Sequence, residues 1–178
     1  MSRRNDGYTI VVLLVAASIL VIGLLVAVPV WKTQLQREAE DELIFRGLQY
    51  VEAIRRYQTK NPGQFPSSIE ELVKKRYLRR PFSDPMTKNG KWDIIVQQDR
   101  LARGGSRTPS ANLSQLLLVP QDSLASLPNP RILGVVSPST EKSIRLYNDA
   151  DTYDKWLFYY GQDAKSKPEI ARFGQTEK

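Results

Sequence analysis

From Tyr8 to Trp31 the chain carries no charged residue, and the run reads YTIVVLLVAASILVIGLLVAVPVW. About 20 apolar residues cross a bilayer core as a helix, so this segment is long enough to span one with some tilt. A cleaved secretory signal has a shorter apolar core and then a small-residue cleavage site. Neither fits, and the segment is expected to stay in the mature protein. Residues 32–178, beyond the run, suffice for one modest domain and not two. Arg3 and Arg4 precede the run, and the positive-inside tendency then places the N-terminus in the cytoplasm. Lys32 and Arg37 on the far side weaken that preference.

Beyond Trp31 the chain turns polar but keeps a helical rhythm. Leu43, Gly47, Tyr50 and Ile54 fall at steps of four, three and four, beside Ile44, Leu48 and Val51. Together they form a broad apolar stripe, with Glu40, Asp41, Arg46, Glu52, Arg55 and Arg56 largely away from its centre. No glycine or proline cluster separates this stretch from the apolar run. One helix is therefore expected from about Thr9 to about Lys60, roughly 80 Å long and ended by Asn61-Pro62-Gly63. Pro29, inside it, removes a backbone bond and should bend the rod. A second helix is expected over IEELVKKRYL, with Ser67 as N-cap and Glu70 completing a capping box. Ile69, Leu72, Val73 and Tyr77 would face a core, and Pro81 would close the helix before an ordered turn to Pro85.

The rest reads as strands. Trp92–Gln97, Ile132–Val136, Ser143–Tyr147 and Lys155–Tyr160 are the candidates, and Asn148–Asp154 would be a hairpin loop between the last two. Residues 98–130 read mostly as a long loop around a short apolar piece, Leu116–Val119. The tail after Gly161 is polar and expected to be loose, with residues 166–178 a flexible end. The expected fold class is α+β, a long N-terminal helix packed on a small antiparallel sheet.

Composition narrows the chemistry. There is no cysteine, which excludes disulfides, thiolate metal sites and thiol nucleophiles. There is no histidine, which removes the usual general base near neutral pH and the commonest zinc ligand. No catalytic residue is assigned and no enzyme is expected. The formal charge of +7 favours anionic partners in general and is too diffuse to identify one.

Residues 3–12, Arg-Arg-Asn-Asp-Gly-Tyr-Thr-Ile-Val-Val, resemble the class III signal of type IV pilins and type II secretion pseudopilins. Pro29 lies at the spacing where pilins carry their helix-bending proline. Phe65-Pro66-Ser67-Ser68-Ile69-Glu70-Glu71-Leu72, then Tyr77-Leu78 and Asp84-Pro85, resembles the region after the long helix in major pseudopilins. The resemblance covers residues 1 to about 95, and the closing strands in outline only. It implies a leader of residues 1–7 cut after Gly7 by a prepilin peptidase, with Tyr8 the N-methylated first residue. It also implies a membrane and filament-core helix over 8–31, a periplasmic pilin-like domain over 32–165, and a single pass through a bacterial inner membrane. The implied partners are other pseudopilins or pilins and the inner-membrane assembly platform. One residue departs from the family. The fifth mature position is usually glutamate and here is Val12, which cannot pair with a neighbouring N-terminal amine. A minor or tip-proximal subunit and simple lineage variation both fit that departure.

Two further patterns are weighed. Asn148, Asp149, Asp151 and Asp154 crowd oxygen ligands into one stretch, and the resemblance implies calcium in this region. The spacing departs from an EF-hand loop, and Asn and Asp are ordinary hairpin residues. Calcium is thus the one cofactor candidate, with none expected by default. Lys74, Lys75, Arg76, Arg79 and Arg80 form a basic cluster that reads as a solvated face, and nucleic acid is not the expected partner. Trp156, Phe158 and Tyr160 alternate as a strand with one face on a helix, leaving Tyr159 as a candidate subunit contact. The functional expectation is a structural pseudopilin of a type II secretion filament. The alternatives are a minor type IV pilin for adhesion, motility or DNA uptake, and a static single-pass periplasmic adaptor.

Overall fold

The computed structural model describes residues 6–97, 115–162 and 168–173, without the side chains of 6, 7, 25–29, 115 and 169. The chain divides into two compact units, Met1–Glu38 and Ala39–Lys178. Helix α1 is assigned as one 55-residue element, Asp6–Lys60, so its first part belongs to the first unit and its last part to the second. The helix starts a turn earlier than expected and ends where Asn61-Pro62-Gly63 predicts, with Gly63 at a φ of 78°. The division falls later than residue 32 because the polar stretch up to Glu38 makes no part of the core.

In the second unit, Leu43, Tyr50 and Ile54 are buried as the stripe predicts, and Tyr57, beyond the expected stripe, is buried with them. Gly47 matters by what it lacks: a Cβ there would sit 2.4 Å from the Phe158 ring, so the missing side chain lets that ring lie against α1. The stripe is narrower than expected, since Leu48 remains 46% exposed. Glu40 is a correction: it is fully buried on the same face, one turn before Leu43.

Helix α2 spans only Ile69–Lys74. Its N-cap is Ser68 and not Ser67. The Ser68 hydroxyl accepts the Glu71 N–H at 3.1 Å, and the Glu71 carboxylate reaches back to the Ser67 N–H at 2.9 Å. The capping box is thus Ser68 with Glu71, displaced by one residue from the expected pair. At the other end the Arg76 N–H donates to the Val73 carbonyl and the Tyr77 N–H to the Leu72 carbonyl, with Arg76 at a φ of 61°. This pattern stops a helix by a left-handed residue, a place that favours glycine. Arg76→Gly is therefore expected to stabilise the domain by about 1 kcal/mol, read from the urea midpoint of unfolding.

Beyond α2 the described residues form seven strands: β1 (Asp93–Gln97), β2 (Gln115–Pro120), β3 (Ile132–Val136), β4 (Lys142–Tyr147), β5 (Ala150–Thr152), β6 (Phe158–Tyr159) and β7 (Glu169–Arg172). Five of them form one sheet in the order β6-β3-β1-β2-β7. All its pairings are antiparallel except β2 with β7, which is parallel. The fold is α+β with a small, largely antiparallel sheet. Its two faces are both apolar. Ile94, Val96, Val119, Val135, Trp156 and Phe158 join the α1 residues, while Ile95, Leu116, Leu118, Leu133, Val136 and Tyr159 cluster together on the other side. Strands buried on both faces read as unbroken apolar runs, which is the pattern of DIIV, LLLV and ILGVV.

Several expectations change here. Leu116–Val119 is not a loop insert but most of β2, hydrogen-bonded between β1 and β7. The loop expected over 98–114 lies outside the described residues, and Gln121–Ser126 form a 3-10 turn. Lys155–Tyr160 yields only a two-residue strand, preceded by a 3-10 turn at Tyr153–Lys155. β4 pairs with β5 in a separate two-stranded sheet, joined by Asn148-Asp149 alone. Both of those residues have positive φ, 50° and 61°, as a type I′ hairpin turn requires. The tail expected to be loose contributes β7 at Glu169–Arg172, held by backbone bonds to β2 and by an Arg172 to Asp154 ion pair of 2.6 Å. Residues 163–167 and 174–178 of that tail lie outside the described residues.

Candidate functional site

The first unit presents one chemical feature, an apolar helix surface. Gly7 and Tyr8 lie in the first turn of α1. Tyr8 is 73% exposed and Val12 47%, and every side chain from Tyr8 to Leu24 is exposed. Exposure on all sides of a helix of this composition differs from an amphipathic stripe, which hides one face in its own domain. The Ser18 hydroxyl donates to the Leu14 carbonyl at 2.8 Å, one turn back on the same helix. Pro29 lies within α1, and its side chain, with those of 25–28, is outside the described residues. The helix is assigned without a break across Pro29. Among the described residues no helix is long and apolar enough to cross a membrane.

The second unit is built around polar pins that set its loops on α1. Glu40 accepts the Ile144 N–H at 2.6 Å, the Arg145 N–H at 3.3 Å and the Tyr153 hydroxyl at 2.9 Å. Its carboxylate thereby fastens the β4–β5 hairpin to α1, reinforced by Asp41 with Arg145 at 2.5 Å. Nothing in composition flags Glu40, but its spacing to Leu43, Gly47, Tyr50 and Ile54 continues the stripe backwards by one step. Tyr50 donates its hydroxyl to the Phe82 carbonyl and accepts the Phe82 N–H, both at 2.9 Å. Asp84, buried, accepts the Ser137 hydroxyl at 2.7 Å and the Met86 N–H at 2.8 Å, tying the turn after Pro81 to the end of β3. Burial raises the Asp84 carboxyl above its ordinary range, with those two bonds opposing.

Tyr57, Glu71 and Lys75 join the end of α1 to α2. The Tyr57 hydroxyl donates to Glu71 at 2.9 Å, and Lys75 binds the same carboxylate at 2.8 Å. Desolvation pushes Glu71 up, but Lys75, the Ser67 N–H and hydroxyl and Tyr57 outweigh it and hold it at about 2. The folded value lies below the ordinary 4.5, so this carboxylate stabilises the fold above that value and loses its contribution as pH falls toward 2. The group is partly solvated, and the expected loss is about 1 kcal/mol. Urea unfolding at pH 6 and pH 2.5 checks it: Glu71→Gln should narrow the difference between the two. Asp84 works the other way, because a raised folded value favours the native state at low pH. The comparison of variant with parent isolates Glu71.

The four oxygen-rich residues do not converge. Asn148 and Asp149 form the hairpin turn, Asp151 is exposed on β5, and Asp154 pairs with Arg172. Among the described residues no group of three or more carboxylates could hold a metal ion. The candidate contact Tyr159 is corrected as well, being 3% exposed in the second-face cluster. Its alternation with Trp156 and Phe158 fills both faces of the sheet. A solvent-open depression is lined by Met86–Asn89 and Pro138–Glu141, with Lys88 and Glu141 its charged residues. Compared with protein-family models, curated proteins and solved structures, the chain matches none.

Proposed function

We infer that this chain is a structural subunit of a pilin-like filament, of the pseudopilin kind that serves type II secretion. The observation that carries the reading is the α1 surface from Tyr8 to Leu24, apolar and exposed all round, on the same helix that ends in a folded α+β unit. Such a surface needs an apolar surround, and a bilayer and a bundle of like helices both supply it. The complete run to Trp31 has the length of a single pass. The subunit waits in the inner membrane with its second unit in the periplasm. It is trimmed between Gly7 and Tyr8 by a prepilin peptidase, then packs with other pseudopilins at the assembly platform. Gly7 and Tyr8 are substrate positions, and the chain supplies no catalytic group of its own.

Val12 favours a refinement. A carboxylate at that position would be costly in an apolar bundle unless paired with a neighbour's amine. Valine needs no such partner, which suits a minor or tip-proximal subunit that receives few neighbours. Substituting Gly7→Val tests the main reading. The expected result is a chain that keeps residues 1–7 and disappears from the sheared filament fraction, with unchanged urea stability of the folded unit. A static single-pass adaptor would instead be indifferent to the change.

A further inference from the structure

Asn61, Asn89, Asn129 and Asn148 are the asparagines among the described residues, and the residue after each sets its chemistry. A backbone nitrogen can attack the side-chain amide carbon of the asparagine before it, expelling ammonia and closing a cyclic imide. Asn61 and Asn129 precede Pro62 and Pro130, whose nitrogens have no proton to lose. Asn148, exposed in its hairpin turn, precedes Asp149, whose side chain crowds the attacking nitrogen and whose charge opposes its deprotonation. Asn89, exposed in a turn as well, precedes Gly90, which presents neither obstacle. The fold itself demands glycine there: φ is 65°, and a Cβ would lie 3.0 Å from the Ser83 Cβ. Asn89 lines the solvent-open depression, so water reaches it. Its Oδ1 accepts the Lys91 N–H at 3.2 Å. The ring closed by that bond runs through the Asn89 Cγ and the Gly90 nitrogen, the two atoms that join in the imide, and the Lys91 N–H polarises the carbonyl under attack. The Gly90 N–H donates to the Thr87 carbonyl at 3.2 Å, so attack waits for this surface turn to open.

We propose that Asn89 is a site of spontaneous covalent modification, converted through a cyclic imide with Gly90 into isoaspartate and aspartate, with water as the only co-reactant. The Gly90 nitrogen gives its proton to hydroxide and bonds to the Asn89 Cγ. The Cγ–Nδ2 bond breaks, and that nitrogen takes a proton from water and leaves as ammonia. Water then opens the imide at one of its two carbonyls. Opening at Cγ leaves aspartate; opening at the backbone carbonyl leaves isoaspartate, whose main chain runs through Cβ and Cγ and is one carbon longer. The extra carbon falls inside a closed loop, because the Asp84 N–H donates to the Gly90 carbonyl at 2.8 Å while buried Asp84 accepts the Ser137 hydroxyl at 2.7 Å. Isoaspartate therefore loosens the turn that carries Asp84. The site belongs to the second unit and is independent of the filament reading.

The test follows the full-length chain in detergent at mildly alkaline pH over weeks, by digestion and mass spectrometry, beside the same chain unfolded in guanidinium chloride. The expected result is exchange of the Asn89 amide for a carboxyl, mostly as isoaspartate, several-fold faster as pH rises, with Asn148 unchanged over the same time. The folded chain should react within about tenfold of the unfolded rate, since only one surface turn has to open. Asn89→Gln should silence the signal. An Asn89 amide retained in the folded chain while the unfolded chain loses it overturns the proposal. Conversion of Asn148 at an equal rate overturns the role given to Gly90. The isoaspartyl fraction, separated by ion exchange, should unfold at a lower urea concentration than the parent, and freshly purified Asn89→Asp at the parental one. An isoaspartyl chain with the parental midpoint overturns the link to the Asp84 turn.

Discussion

Gly134→Ala is expected to abolish the folded state of the second unit. Gly134 sits in β3 opposite Tyr159 of β6, and a Cβ built there falls 1.9 Å from the Phe158 carbonyl oxygen and 2.5 Å from the Tyr159 Cα. Those are backbone atoms of a paired strand, so no side-chain rotation can make room. Relief requires β6 to leave β3. That takes Trp156 and Phe158, both fully buried, out of the core, and with them the ring that fills the space at Gly47. The expected loss exceeds about 4 kcal/mol, a large part of the stability of a domain this size. Circular dichroism and urea unfolding of the purified variant provide the reading. A Gly134→Ala protein within about 1 kcal/mol of the parent would mean that β6 does not pair with β3 as described. Gly23→Ala is the matching control, since nothing lies within 4 Å of the position a Cβ would take there.

Glu40→Ala is expected to cost about 3–5 kcal/mol, because it removes a buried carboxylate that serves three donors at once, the Tyr153 hydroxyl buried and two hairpin N–H groups half-buried. The Ile144 and Arg145 N–H groups and the Tyr153 hydroxyl all lose their acceptor. Tyr153 is fully buried and has no route to water without opening the hairpin. Glu40→Gln keeps one oxygen but turns an amide donor toward other donors, so it should recover only part of the loss. Tyr153→Phe removes one bond and should cost about 1 kcal/mol. If Glu40→Ala instead unfolds at the parental urea concentration, the hairpin is held by Tyr147 stacking on Trp156 and Phe158, and the carboxylate is incidental.

The parts of the fold that were legible in the sequence come from strong periodicity. The α1 stripe and its stop at Asn61-Pro62-Gly63 are long signals with a sharp terminator. The strands β1 and β3 are short apolar runs bounded by polar or turn residues. What was not legible depends on partners distant in sequence. Glu40 reads as a surface charge until the hairpin, more than a hundred residues later, closes over it. β2 looks like an apolar piece inside a loop because β1 and β7, which pair with it, are supplied from either side of segments rich in small polar residues. β7 carries no buried side chain among the described ones and exists through backbone bonds and the Arg172 pair, neither of which leaves a hydrophobic pattern. The capping box slipped by one residue because Ser67-Ser68 and Glu70-Glu71 offer two equivalent pairings in sequence. Only the burial of Ile69 and Leu72 chooses between them.

The candidate site divides in the same way. The apolar helix is visible from composition, and its exposure in the folded chain agrees with the physical demand that composition makes. The oxygen-rich stretch, by contrast, held a hairpin signal that composition blurred. Asn148-Asp149 is a two-residue turn between strands, and recognising it places Asp151 and Asp154 on different elements. Tyr159 was open to misreading because alternation is expected for a sheet with one dry face, whereas this sheet buries both.

We propose that this protein is a processed filament subunit, and its N-terminus in its native membrane tests that proposal most directly. Intact mass and N-terminal sequence should show a chain that begins at N-methylated Tyr8, shortened by the seven residues Met1–Gly7. A chain that retains Met1–Gly7 while the prepilin peptidase of the same cell is present and active would contradict it.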